Sequence, residues 1–245
     1  ALELGDPFTA EVRDVTGDGV DDVLLHEAGR GADGDGDDYT MLQYRLLARR
    51  LDGFGDAGAY FLASPEWKRG ELDAEFMAGS GPPESFHFKW NGYRFVRIAP
   101  GEKKVEGVVA TASSSLKGYP AKNAVDADPK TTWTEGKPDE GMGERVTLAL
   151  PRKVTIARVS FATGYDAISP KWGDLWFLNN RLTDAQLVFD GDVTKNLTID
   201  PGARWVDYIP HGELKTKKVT LRLGAVVDGA KWNDTCVNEI EVYER

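Results

Sequence analysis

Three short oxygen-bearing side chains fall within six positions in the stretch NAVDADPKTTWTEG, residues 123–136: Asp126, Asp128 and Thr131, punctuated by Pro129 and closed by Trp133. A hard cation such as Ca²⁺ takes about six to eight oxygen ligands, with carboxylate, hydroxyl and backbone carbonyl mixed, and a loop of this composition can supply most of them. The same composition suits an Asx-turn loop whose aspartates bond their own backbone, and composition alone leaves both readings open. A second acidic loop lies in FTAEVRDVTGDGVDDVLLHE, residues 8–27. Asp14, Thr16, Asp18 and Asp22 stand there at relative positions one, three, five and nine, with Gly19 at position six, where a calcium loop turns sharply. An EF-hand would also need a bidentate Glu at position twelve and flanking helices. Leu25 stands at twelve and the flanks alternate as strands do, so an EF-hand is excluded and a plain acidic turn stays open beside a metal loop.

The chain that must position these loops has 245 residues, 41% hydrophobic and 29% charged, enough to bury a core in one or two domains. Residues 1–100 hold 19 acids against 10 bases, so nearly all of the net charge of −10 lies in the first part, which supports a division into two domains. An acidic chain without clustered Lys and Arg excludes nucleic acid as the main partner. No run of about 18 apolar residues is present to span a membrane as a helix, and no signal-peptide pattern stands at Ala1. The single cysteine, Cys236, allows no disulfide within the chain; its neighbours Val237 and Ile240 point to a buried structural thiol.

Periodicity is that of strands throughout. Residues 8–27 read as strand, loop, strand, and residues 39–50 fit a strand or a short helix equally. The Gly- and Asp-rich run GRGADGDGDD, with Asp33, Asp35 and Asp37, reads as a solvated loop rather than a metal site. In FHFKWNGYRFVRI, residues 86–98, alternation around Asn91-Gly92 predicts a hairpin, because both turn residues tolerate positive φ. A small, mainly β domain therefore covers residues 1–99, followed by a polar linker to Lys104. From residue 105 to 245, short β signals recur at 146–150, 154–162, 185–189, 197–199, 205–209, 218–223 and 237–243. Alternation runs Val154, Ile156, then Val159, Phe161 after a one-residue slip. Such spacing with almost no helical period argues a β-sandwich or jelly roll.

The run ATASSSLKGYPAKNAVDADPKTTWTEG, followed by VTLALPRKVTIARVSF and ended by CVNEIEVYE, resembles the discoidin fold, also called the factor V/VIII type C or galactose-binding-like domain. Within that superfamily GYDAIS, NNRLTDAQLVF and WNDTCVNEIEV are most similar to the discoidin-type translocation domain of bacterial NAD glycohydrolases. The resemblance covers about 140 residues and implies a jelly-roll β-sandwich with a structural Ca²⁺ beneath its ligand loops. On the family's metal pattern fall the carbonyl of Asn123, the side chains of Asp126 and Asp128, the carbonyl and hydroxyl of Thr131, the closing Glu239 and the carbonyl of Asn238. Ala127 departs from that pattern, which usually has Gly, a residue free to take positive φ. The first loop resembles the calcium loops of FG-GAP repeats, which implies Ca²⁺ on the side chains of Asp14, Thr16, Asp18 and Asp22 and on the carbonyl of Val20. One copy is not a propeller, which needs at least four blades of four strands.

Carbohydrate-binding discoidin modules hold sugar on loops at one end of the sandwich, where an aromatic face stacks on the ring and polar side chains read its hydroxyls. The resemblance points to Glu135, Asn180, Arg181 and Asp234, with Asn179 and the aromatic residues Tyr165, Trp172 and Trp176 beside them. Trp172 and Trp176 lie in SPKWGDLWF, where Pro and Gly interrupt the pattern, so at least one is expected at the surface; Trp133 is expected in the core. Asn180 and Arg181 can equally cap a strand by bonding to backbone. No Gly-x-Ser-x-Gly elbow, His-Glu-x-x-His helix or phosphate loop is present, and His26, His87 and His211 are scattered, so no enzyme is expected. The expectation is a calcium-stabilised, non-catalytic glycan-binding module of a secreted or cell-surface bacterial protein. A structural or adhesion protein binding a protein partner through the same loops is the alternative.

Overall fold

The computed structural model describes residues 8–27, 42–50, 53–76 and 84–245. The chain divides into two compact units, Ala1–Pro100 and Gly101–Arg245. The Gly- and Asp-rich run with Asp33, Asp35 and Asp37 lies outside the described residues.

The first unit is one antiparallel sheet whose strands follow chain order: β1 (Phe8–Arg13), β2 (Asp22–Glu27), β3 (Leu42–Arg50), β4 (Gly53–Lys68), β5 (Glu71–Phe76), β6 (Glu84–Trp90) and β7 (Phe95–Ile98). Alternation places Leu24, Leu46, Leu72 and Phe95 in a common core, with Trp67, Phe88 and Trp90 packed on it. The segment that fitted strand and helix alike is strand β3, paired on both sides. The Asn-Gly hairpin is longer than a two-residue turn. Trp90 pairs with Phe95, Gly92 alone takes positive φ (95°), and the Asn91 side chain accepts from the amides of Tyr93 and Arg94 at 3.0 and 2.9 Å. Asn91 serves here through its amide oxygen, which closes a four-residue loop as an Asx-turn does.

The second unit opens with β8 (Lys103–Lys104), β9 (Val109–Ala112), β10 (Trp133–Thr134) and the long β11 (Arg145–Ala162). Two small strands, β12 (Ile168–Ser169) and β13 (Gly173–Asp174), precede one helical turn, α1 (Leu175–Leu178). There follow β14 (Arg181–Leu182), β15 (Asp184–Phe189), β16 (Thr194–Thr198), β17 (Trp205–Tyr208), β18 (Lys215–Leu223), β19 (Val226–Val227), β20 (Cys236–Val237) and β21 (Ile240–Glu244).

Strand β11 builds the jelly-roll sandwich by belonging to both of its sheets. Its first part, to Thr155, pairs with β18 and β9, and beyond β18 lie β15 and β16. Its second part, from Ile156, pairs with β21 and β17, and β21 with β8. The register shifts between Ala149 and Val154, and again between Ile156 and Arg158. The second shift is the slip in the apolar alternation: one extra residue in a bulge resets which side chains face inward. Val146, Leu148, Val154, Ile156, Phe161, Leu187, Leu221 and Ile240 fill the space between the sheets, and Trp133 is fully buried there, as expected.

Two boundaries differ from the sequence reading. Residues 102–105 are not a free linker: Lys103 and Lys104 pair with Glu244 and Tyr243, Val105 donates to Val242, and Glu102 meets Arg158 at 2.9 Å. The expected last strand is broken at Asn238-Glu239 into β20 and β21, because those two residues turn their polar groups to the loops. Phe161→Ala removes a fully buried ring between the sheets and is expected to lower the stability of the second unit by about 3–5 kcal/mol. A fall in the urea midpoint at unchanged slope checks it.

Candidate functional site

The Asn123–Thr131 segment begins as a short 3₁₀ turn, Ala121–Val125, and then reverses at Ala127, which sits at φ 56° in the left-handed region. The family's usual Gly is replaced, but the conformation that calls for it is kept. Around the Thr131 hydroxyl the loop gathers oxygens: the Asp126 carboxylate at 3.0 and 2.9 Å, the Asp128 carbonyl at 3.3 Å and the Asn123 carbonyl at 3.5 Å. Glu239, 1% exposed, reaches the same loop and accepts from the Ala127 amide at 3.0 Å. Burial pushes its carboxyl up to about 8, with Asp126 and Glu241 nearby raising it further and Lys104 opposing. An all-oxygen set closed by a buried, under-compensated carboxylate fits a hard cation. Among the described residues no group of three or more His, Cys, Asp or Glu is placed to hold a metal. A cation here would therefore draw on carbonyls and the Thr131 hydroxyl as well as on Asp126 and Glu239. The Asp128 side chain accepts from the Lys130 amide at 2.9 Å, as in an Asx turn.

In the first unit, Asp22 is fully buried and accepts from the amides of Val15 and Thr16 at 3.0 and 2.9 Å. Asp14 accepts from the amides of Gly17 and Gly19 and pairs with Arg69, and Asp18 accepts from the Val20 amide. The aspartates thus hold the loop's own backbone, and a cation bound there would have to displace Arg69 from Asp14. The Thr16 hydroxyl is buried without a partner.

A pocket of about 380 Å³ opens among the loops of the second unit. Trp172, 45% exposed, and Trp232 form its aromatic wall, their rings edge to face at 5.7 Å and 88°. Tyr119 and Tyr165 face it from other loops, and Asp234, Asn179 and Ser169 supply polar groups. Lys231 lies 3.1 Å from the Trp172 ring centroid. Cys236 is in the floor, its thiol pushed up to about 12 by burial and within 3.3 Å of the Thr134 hydroxyl, which makes it a structural thiol.

Of the residues to which the sequence points, Tyr165, Trp172, Asn179 and Asp234 line this pocket, and Glu135, Trp176, Asn180 and Arg181 do not. Trp176 is 3% exposed: its indole N–H donates to Thr163 Oγ1, and the guanidinium carbons of Arg181 and Arg204 lie 4.8 and 4.7 Å from its ring centroid. Gly164 leaves the space that ring needs, since a Cβ there would stand 2.9 Å from it. Asn180 is fully buried; its amide donates to the Asn233 carbonyl at 2.6 Å and accepts from the Gly229 amide at 2.9 Å, holding the 229–234 loop from below. Its backbone-bonding alternative is the one realised. Arg204, which the sequence did not single out, pairs with Asp166 at 2.7 Å and with Asp174, whose carboxylate also caps α1. Trp232 was also missed, although it stands in the quoted WNDTCVNEIEV segment.

Asn238 joins the two loop systems. Its amide nitrogen donates to the Thr131 carbonyl at 2.7 Å, while its oxygen accepts from the Asp166 amide at 2.6 Å. Tyr165 adds a second tie, donating to the Lys130 carbonyl at 3.0 Å, and burial raises its hydroxyl to about 12.

Comparison with known proteins gives one family and a set of structural neighbours. The family described as the NAD glycohydrolase translocation F5/8 type C domain matches residues 99–243. The family 32 carbohydrate-binding module of C. perfringens NanJ, solved with galactose, is 15% identical at a TM-score of 0.46, over 58% of this chain and 99% of that one. The corresponding module of AlyQ, solved with 4,5-unsaturated mannuronic acid, is 14% identical at 0.43, over 57% and 97%. The lectin binding domain of Lectinolysin, a His 62 mutant solved with Lewis b, is 13% identical at 0.43, over 58% and 94%. No curated protein matches.

Glu135 is fully buried beneath Gly141, with Oε2 accepting from the Lys137 amide at 2.6 Å and Oε1 without a partner. Burial raises its carboxyl above the usual range, and Asp234 and Asp139 raise it further. A carboxyl that binds its proton more tightly when folded than when unfolded favours the folded state at low pH, and that advantage is lost as pH rises through the folded value. Glu135→Gln is accordingly expected to raise the melting temperature at pH 7 and to flatten its decline with pH above the ordinary glutamate range. Melting curves of both proteins across pH 4–8, on the order of the usual stability window, check it.

Proposed function

The chain belongs to the NAD glycohydrolase translocation F5/8 type C domain family, and on that premise we propose that its second unit is a calcium-stabilised, glycan-binding module of a secreted or cell-surface bacterial protein. The domain type is non-catalytic. Among the described residues no helix is long and apolar enough to cross a membrane.

The loop pocket carries this reading. Its aromatic wall and polar floor are what a pyranose needs: CH faces pack on Trp172 and Trp232, and hydroxyls are read by Asp234, Asn179 and Ser169. Fixed acceptors discriminate hydroxyl patterns because an unmatched buried polar group is costly. Lys231 on the Trp172 ring makes that wall a cationic edge as well. Glycan-array and calorimetric binding test the reading. Trp172→Ala is expected to abolish measurable affinity while melting stays near the parent, since the ring is half exposed. An array blank at saturating Ca²⁺ sinks it.

The cation is Ca²⁺, held by the carbonyls of Asn123 and Asn238, by Asp126 and Asp128, by Thr131 and by Glu239. Bound, it supplies positive charge where buried carboxylates lack it and fixes the loop that Asn238 and Tyr165 tie to the pocket. The Asp14–Asp22 loop would hold a second Ca²⁺ with Thr16, Asp18 and the Val20 carbonyl. A ligand that binds only the folded state stabilises it by about 2.7 kcal/mol at a hundredfold excess over Kd. Melting in Ca²⁺ is therefore expected to exceed melting in chelator, and Asp126→Ala to remove the part of the shift due to the first loop. What survives in that variant belongs to the loop of the first unit. Identical curves with Ca²⁺ and chelator refute both cations.

A further inference from the structure

The outer face of the β16-β15-β18-β11-β9 sheet carries an arrangement that the loop pocket does not use. Register aligns Asn196 with Gln186, Gln186 with Arg222, and Arg222 with Arg145, so one polar row crosses four strands. Both arginines are exposed and directly opposite one another on β18 and β11. Like charges in that position repel and cost stability. Among the described residues no carboxylate stands within the 4.0 Å of an ion pair from either guanidinium. Glu144, the neighbour of Arg145, directs its carboxylate to the Ser113 hydroxyl at 2.6 Å and to Lys137 at 3.9 Å, and is held below the usual carboxylate range by the serine hydroxyls and, less strongly, by Lys137 and Arg145.

Asn196, Gln186 and Arg222 of this row line a groove of about 500 Å³ bounded by Met142, which is 68% exposed, and Arg145 stands beside it, opposite Arg222. Arg222 lies across Gly143, where a Cβ would stand 3.5 Å from Nη2. Gln186 and Asn196 bond each other at 3.0 Å, which leaves the remaining amide groups for a ligand. Asp184 also lines the groove, one residue from Ala185 at its edge. Lys218 is exposed on the same face, two positions along β18 from Thr220 and opposite Ala149.

We propose that this face binds an acidic polysaccharide, whose carboxylate or sulfate groups are held by Arg145 and Arg222 and whose hydroxyls are read by Gln186 and Asn196. Guanidinium forks match planar and tetrahedral oxyanions two bonds at a time, which a solvated lysine face would not do. An anion between the two arginines removes the repulsion that the bare pair carries. Amides beside the charges suit a ligand with many neutral hydroxyls, and this favours a glycan over a phosphopeptide or a lipid surface. The site is separate from the loop pocket and does not depend on it.

Affinity electrophoresis at low ionic strength tests it, with polygalacturonate, heparin and neutral dextran in the gel and vesicles of anionic phosphatidylglycerol in a parallel sedimentation assay. Wild type is expected to be retarded by polygalacturonate, heparin or both but not by dextran; retardation by polygalacturonate shows that carboxylate suffices, and retardation by heparin alone that sulfate is required. The double variant Arg145→Ala/Arg222→Ala is expected to weaken that binding about tenfold or more, Arg145→Lys/Arg222→Lys to restore it in part, and Trp172→Ala to leave it unchanged. Equal retardation of the double variant, equal loss in Trp172→Ala, no retardation by either polymer, or preference for the vesicles overturns the proposal. Both arginines are exposed, and a near-ultraviolet circular dichroism spectrum like the parent's establishes that the double variant is folded.

Discussion

The loop end of the second unit depends on one side chain. Asn238 interrupts the last strand, giving up two ladder positions, and uses its amide to join the Thr131 carbonyl to the Asp166 amide. It is fully buried, so each of those hydrogen bonds is made where water cannot substitute. Through Thr131 it fixes the oxygen-rich loop; through Asp166 it fixes the turn that carries Tyr165 and, by way of Arg204, the Asp174 cap of the helix that ends at Asn179. A single Asn therefore sets the distance between the metal-loop candidate and one wall of the pocket. An Asp could not replace it, because the position must donate to one carbonyl and accept from one amide at once.

The opposite wall is fixed in the same manner by a different Asn. Asn180 holds the 229–234 segment through the Gly229 amide and the Asn233 carbonyl, and Gly229 comes so close to the Leu178 and Trp232 carbonyls, 2.5 Å from an added Cβ, that no side chain fits. Trp232 reaches Trp172 only because that segment is pinned from beneath. The buried Trp176 of the helix is flanked by Arg181 and Arg204 and packs edge to face on Phe177. The pocket-lining residues at the surface are thus separated from the buried polar residues that place them.

That separation explains how much of the molecule was legible in the sequence. Period-two alternation gave the strands, and the one-residue slip at Ala157 announced the bulge on which β11 changes partners, because inward-facing residues must be apolar wherever they fall. Trp133 was legible as core from the resemblance, because it follows the oxygen-rich loop at a position that is usually interior. Glu135, Asn180 and Arg181 are polar residues in otherwise structural loops, and the structure buries Glu135 and Asn180 fully. A buried Asn that holds backbone and an exposed Asn that holds a ligand are the same letter, and burial is decided by segments far along the chain, such as Asn233, 53 positions from Asn180. Trp232 pairs with Trp172 across 60 positions, a contact no local pattern encodes. Asn91 misled in a milder way: its short side chain favours turns both by tolerating positive φ and by accepting hydrogen bonds, and only the second operates here.

The loop pocket and the outer sheet face differ in what holds them. Loops have no ladder, so their aromatic wall exists only while Asn180, Asn238 and the Arg204 pairs stay formed; their geometry is precise and also costly, since each buried polar group must find its partner. The sheet face is carried by strand pairing itself, and its Asn196, Gln186, Arg222 and Arg145 row keeps its register as long as the sandwich stands. Charge follows the same division. The oxygen-rich loop brings Asp126 near the buried Glu239, while the outer face sets Arg145 opposite Arg222. Each sets like charges near one another on a rigid support, and a folded protein keeps such clusters at a cost in stability that ligand binding can recover.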